Sequence, residues 1–244
     1  MGDNKLTAEV LAFIAVFSVP FMFCLYYYFA KQKIFLNLLI RPLFPSGSIK
    51  TNEFISYKLT GILFTGIIPF IVFILILKVI PSTIGLVIGR TFQFWYLLVI
   101  LIFFTAFVSF KLSKSRKVQE MSPELKIENW FPRHIVLSVS AWLFYILGYE
   151  FLFRGVLWFL CSEAFGFWPA MLINLLLYSL VHLPQGRLVA TGTLPIGIIL
   201  CLLSQLTGSF IPAFLIHSLI AVLTDLFSLY HNPEVHLNLS STEE

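Results

Sequence analysis

The chain reads as an all-α protein, a polytopic transmembrane helical bundle of six to eight spans. Two observations carry that expectation. Apolar residues fill 59% of the 244 positions while charged residues fill only 11%, whereas soluble domains carry about 25% charged residues. The apolar residues also fall in long runs without alternation. A mean hydropathy of +0.92 and 27 phenylalanines amount to more apolar surface than one soluble core hides. Barrel strands alternate over about ten residues, which these runs do not, so the spans are helical.

Seven apolar blocks lie at 10–30, 59–80, 91–110, 135–161, 167–183, 194–207 and 210–230, and a bilayer core takes about 20 helical residues to cross. The first block follows MGDNKLTAEV, which lacks the basic region and cleavage site of a signal peptide, so it reads as a retained anchor. Leu6 stands where a myristoylation signal needs Ser or Thr. The block 135–161 is too long for one straight span and contains Gly148, so two helices meeting near Glu150 are expected there. Pro20, Pro69 and Pro212 do not oppose helices, because neighbouring helices satisfy the backbone groups that proline frees.

The net charge of +4 is explained by topology and implies no nucleic-acid partner. Of the sixteen Lys and Arg, five lie in 31–58 and six in 111–133, and 81–89 has none. Those basic segments are expected on the cytoplasmic side, which puts the N-terminus of this integral, multi-pass membrane protein on the non-cytoplasmic side. The organisation expected is a three-span region 1–110, a basic cytoplasmic connector 111–134, solvated and touching anionic lipid, a membrane core 135–230, and a mobile polar tail 231–244. Cys24, Cys161 and Cys201 lie in apolar runs without CxxC spacing and read as small buried hydrophobes.

Within the apolar blocks, ionisable residues are concentrated in the C-terminal part; in the first three only Lys78, near an end, is noted, where it can snorkel. Each charge at bilayer depth costs about 3 kcal/mol on insertion scales, so such residues mark functional sites or structural pairs. Between 135 and 230 they are Glu150, Arg154, Glu163, His182, Arg187, His217 and Asp225. Glu163 and Arg187 border connections and read as interfacial, and Asp225 as a structural partner. Glu150 and Arg154 are one helical turn apart and can neutralise each other. Asn174, Tyr178 and His182 recur every four residues and form a polar stripe.

A carboxylate and two imidazoles from three helices suit two chemistries. Glu150, His182 and His217 can hold a divalent metal such as zinc with a position open for water. Without metal, the carboxylate takes a proton from water while the imidazoles orient it and stabilise the oxyanion. Either route hydrolyses an acyl bond within the membrane. The blander reading is that an intramembrane His is a helix-to-helix hydrogen bond and the Glu/Arg pair a clasp. HExxH, GxSG and paired YD/GxGD patterns are absent from the sequence, which sets aside the other intramembrane protease chemistries.

The runs YEFLFRG, YSLVHL and TGSFIPAFLIHSLIAVL resemble, in order, the three signatures of the CPBP family, the CAAX proteases and bacteriocin-processing enzymes also called Abi. Those signatures are EExxxR, FxxxH and HxxxN, each on its own membrane helix. The resemblance covers about 135–230 and none of the first three spans. It implies an intramembrane endopeptidase acting near the membrane surface on a peptide or lipidated peptide, with a water activated by Glu and His and a metal in some descriptions. Glu150 and Arg154 match the second glutamate and the arginine, His182 and His217 match the histidines, and Tyr178 replaces the phenylalanine. Tyr149 stands where the family's first glutamate, the favoured base, would be. Ala221 stands where its asparagine, which stabilises the oxyanion, would be. On this basis Glu150 is expected to act as base, His182 to orient the water, His217 to serve the oxyanion and Tyr149 to supply a phenolic hydrogen bond. The readings that compete with catalysis are a CPBP-like scaffold or bacteriocin-immunity-like protein and, behind it, a small transporter, disfavoured by the lack of an inverted repeat.

Overall fold

The computed structural model describes residues 6–43 and 48–238. Within them, seven helices are long and apolar enough to cross a bilayer: α1 (Ala8–Lys31), α2 (Ile49–Ile76), α3 (Phe92–Leu112), α4 (Pro132–Phe165), α5 (Phe167–Gln185), α6 (Arg187–Thr207) and α7 (Ile211–His231). Each expected block is one of these helices. Exposed Trp95, Tyr96 and Trp168 mark one end of the bundle, and exposed Tyr28 and Tyr230 mark the other, as the two aromatic belts of a membrane protein do.

Two block expectations are corrected. The stretch 135–161 is not two helices; it belongs to the continuous 34-residue α4, about 51 Å long at 1.5 Å per residue. What interrupts regularity is a wide π-type segment, Phe151–Leu157, directly after Glu150; such bulges insert a residue without ending the helix. Helix α2 begins at Ile49 and not at 59, so Lys58 lies inside a span. A charged side chain inside an apolar helix is tolerated when a partner meets it, and Lys58 has one, described below.

Helix α4 is the hub. It packs against α1, α2, α5, α6 and α7, while α3 leans on α7 at the edge. The main core joins Phe23 and Tyr26 of α1, Phe64 of α2, Phe153 and Trp158 of α4 and Tyr178 of α5. Helices α2 and α4 approach closely at Gly66 and Gly148. A Cβ on Gly148 would meet the Gly66 Cα at 3.0 Å and the Thr65 hydroxyl at 3.2 Å, so only small residues let α2 and α4 touch here. At the end of α6, Gly208 takes the left-handed φ of +68°, which stops the helix and turns the chain into α7.

The connector is not simply solvated. Leu125 and Trp130 are fully buried against Phe54 and Leu229, and a short helix, Arg116–Met121, precedes them. A two-residue strand β1 (Asn129–Trp130) pairs in parallel with β2 (His236–Leu237). The His236 N–H donates to the Glu128 carbonyl at 2.8 Å and the Asn238 N–H to the Trp130 carbonyl at 2.8 Å. The tail is therefore tied through residue 238; residues 239–244 lie outside the described residues.

A Gly148→Val variant should separate α2 from α4 and lower stability by about 1–3 kcal/mol, the usual cost of overpacking. Gly192→Ala, whose added Cβ meets nothing within 4 Å, should leave the unfolding midpoint in detergent unchanged.

Candidate active site

Glu150 sits in the middle of α4, fully buried, and its Oε1 takes two bonds. Arg154 Nη1 donates to it at 3.2 Å, and His217 Nδ1 of α7 approaches it at 2.5 Å. The carboxylate can only accept, so Nδ1 of His217 is the protonated nitrogen and Nε2 carries the lone pair. Arg154 is itself fully buried, with its guanidinium 4.1 Å from the Tyr178 ring centroid. Removing one partner of such a buried pair costs about 3–5 kcal/mol.

His182 is set the same way by another group. Its Nδ1 lies 2.8 Å from the Tyr178 carbonyl, an acceptor only, so this imidazole also presents Nε2. Nearby, the Tyr27 hydroxyl of α1 donates to the Val181 carbonyl at 2.9 Å and holds the last turn of α5. The Tyr149 hydroxyl is 3.4 Å from the same His182 Nδ1. Since that nitrogen already donates to Tyr178, the phenol keeps its own proton for another acceptor.

The two histidines and Tyr149 line one cavity of about 540 Å³. The Tyr149 ring lies 6.0 Å from His182 and 5.5 Å from His217 by ring centroids. Tyr57, Lys58, Tyr145, Tyr178, Thr193 and Ala221 add to the wall, and Met121, Ser122 and Glu124 of the connector form its rim. Both positions at which the chain departs from the expected motif, Tyr149 and Ala221, face this space.

Four of the expected site residues, Glu150, Arg154, His182 and His217, are thus brought to one region, but not as one ligand set. Glu150 does not line the cavity: adjacent residues of a helix point about 100° apart, and Tyr149 takes the cavity side. The expected metal trio of Glu150, His182 and His217 does not form, since among the described residues no three His, Cys, Asp or Glu side chains lie close enough to hold an ion. Glu150 spends Oε1 on Arg154 and His217. The residues present do not fit a three-donor metal centre.

Lys58 was the residue hidden from sequence reasoning. It is 3% exposed, pairs with Glu124 at 2.6 Å and lies 3.0 Å from the Trp142 ring centroid. Asp225 completes the cluster, accepting from Trp142 Nε1 at 2.8 Å and from the Glu124 N–H at 3.3 Å, which fits the structural role expected for it. Glu163 and Arg187 are exposed, as expected of interfacial residues. The usable signal for Lys58 was its helical spacing to Phe54 and Ile62 at the foot of an apolar run.

Residues 130–223 match the family model described as type II CAAX prenyl endopeptidase Rce1-like. The matched segment is less than half of the chain, and over it the chain is similar to that family. The match begins at Trp130, ends two residues beyond Ala221 and spans α4 to most of α7, so it includes every residue of the Glu150, Arg154, His182 and His217 group. Neither the comparison with curated proteins nor that with solved structures gives a match. The wall that Tyr57 and Lys58 supply comes from outside the matched segment, so α2 completes a cavity that this segment only partly defines.

A Lys58→Met variant leaves Glu124 and Asp225 facing each other at the rim without their cation. Limited proteolysis within 113–131 should then be several-fold faster than in the parent, with cleavage elsewhere unchanged.

Proposed function

We propose that the protein is an intramembrane endopeptidase of the CPBP type, hydrolysing a peptide or lipidated peptide near the membrane surface with a water activated by His217. The observation that carries this reading is that two imidazoles offer unpaired Nε2 atoms to one cavity and that a buried carboxylate backs one of them. A carboxylate behind Nδ1 fixes the tautomer and steadies the imidazolium that forms on proton transfer. Glu150 is then a positioning residue, and His217 does the work first expected of Glu150.

In this mechanism the substrate carbonyl lies over Tyr149. His217 Nε2 takes a proton from water as the water oxygen bonds to the carbonyl carbon, and His182 Nε2 accepts the water's other hydrogen bond. The Tyr149 O–H donates to the oxyanion, the role for which Ala221 has no donor. As the oxyanion collapses, the C–N bond breaks and the imidazolium of His217 returns its proton to the leaving nitrogen. Every proton is accounted for within this chain's own residues. Arg154 holds Glu150 Oε1 by a hydrogen bond and takes no proton itself.

A second reading, a CPBP-like scaffold that binds a peptide without cutting it, is favoured by a specific feature: the cavity-facing positions 149 and 221 carry a phenol and a methyl in place of a carboxylate and an amide. The two readings separate in a reconstituted cleavage assay on peptides and lipidated peptides read by mass spectrometry. Hydrolysis by the parent, lowered at least about 100-fold in His217→Ala and Tyr149→Phe as for loss of a base or an oxyanion donor, supports the first. Glu150→Gln should lose less than His217→Ala because the base remains. A parent that binds but does not cleave, and that gains cleavage in Tyr149→Glu/Ala221→Asn, supports the scaffold.

A further inference from the structure

We infer that Asn174 is a positioning residue of this site, its amide clamping the wide turn of α4 and thereby setting the offset between the Glu150/Arg154 pair and His182. The inference rests on the hydrolytic reading for its kinetic readout, and on geometry alone for its second readout.

Asn174 lies on α5 and is fully buried. Its Nδ2–H donates to the Phe153 carbonyl at 2.8 Å, and its Oδ1 accepts from the Cys201 thiol of α6 at 3.3 Å. The acceptor carbonyl belongs to the wide segment Phe151–Leu157 and also receives the Trp158 N–H. It falls between Glu150 and Arg154 in the chain, so the bond grips the turn that carries the ion pair. From Asn174, Tyr178 is one turn and His182 two turns further on the same helical face. Tyr178 also stacks on the Arg154 guanidinium. One amide therefore ties together, in fixed register, the helix bearing Tyr149, Glu150 and Arg154 and the helix bearing His182.

A buried asparagine is ordinarily a simple helix-to-helix bond. Two features set this one apart. Its acceptor is a backbone carbonyl of an irregular turn, where hydrogen-bond geometry is poorer than in an α-helix. Its own helix then supplies the next two polar groups of the site.

The test uses the full chain in detergent, with Asn174→Leu and Asn174→Asp. Leu removes the donor; Asp keeps the volume and loses the donated bond whenever its carboxyl is ionised, so one of the two is available if the other fails to fold. In a folded variant kcat should fall by at least about tenfold with KM unchanged, as expected when reacting groups shift by a fraction of an ångström. Diethylpyrocarbonate modification, followed at each histidine by mass spectrometry, should change several-fold at His182 and His217 while His134, His231 and His236 keep their parent rates. A folded variant with parental kcat and parental rates at His182 and His217 overturns the proposal. If the parent cleaves nothing, the hydrolytic reading fails and the histidine rates alone decide the positioning role.

Discussion

The buried contact of Glu150 with Arg154 and His217 is the constraint on which the rest of the structure depends. Two charges at the centre of an apolar bundle are tolerable only together, and a carboxylate with both a guanidinium and an imidazole on one oxygen fixes three helical turns relative to each other. That demand explains why α4 is central and why α7 must pass where His217 can reach it. It also explains why His217 faces the cavity with one nitrogen only, the other being committed inward.

The wide turn of α4 has a related effect on what the cavity sees. Tyr149 and Glu150 are neighbours in sequence but point in different directions, and the bundle turns the phenol outward and the carboxylate inward. The Asn174 bond to the Phe153 carbonyl stabilises the irregular backbone just beyond them. The site's chemistry is thus decided by helical phase as much as by which residues are present. A glutamate at position 149 would take the place near both imidazoles that the Tyr149 ring fills here.

Much of this was legible in the amino-acid sequence. Long apolar runs give spans because lipid leaves the backbone no other partner, and the four-residue spacing of Glu150 and Arg154 gives their pairing directly. The gathering of His182 and His217 followed from motif order. Other features were not legible, each for a physical reason. Lys58 sits at the foot of an apolar run, and its burial depends on Glu124, 66 residues away; no local pattern encodes that. The connector's docking rests on Leu125 and Trp130 finding Phe54 and Leu229, again contacts of long range. The metal trio failed because spacing places residues on a face but does not say which oxygen is already engaged. The continuous α4 escaped expectation because a glycine in a long apolar block marks a break as readily as the close contact with Gly66 that it makes.

Phe153, which has no exposed surface, stacks on the cavity-lining Tyr149 with ring centroids 4.8 Å apart. A space of about 540 Å³ has room for many water molecules. Water in the cavity can therefore reach His182 and His217, while Glu150 and Arg154, absent from the cavity wall and without exposed surface, stay dry.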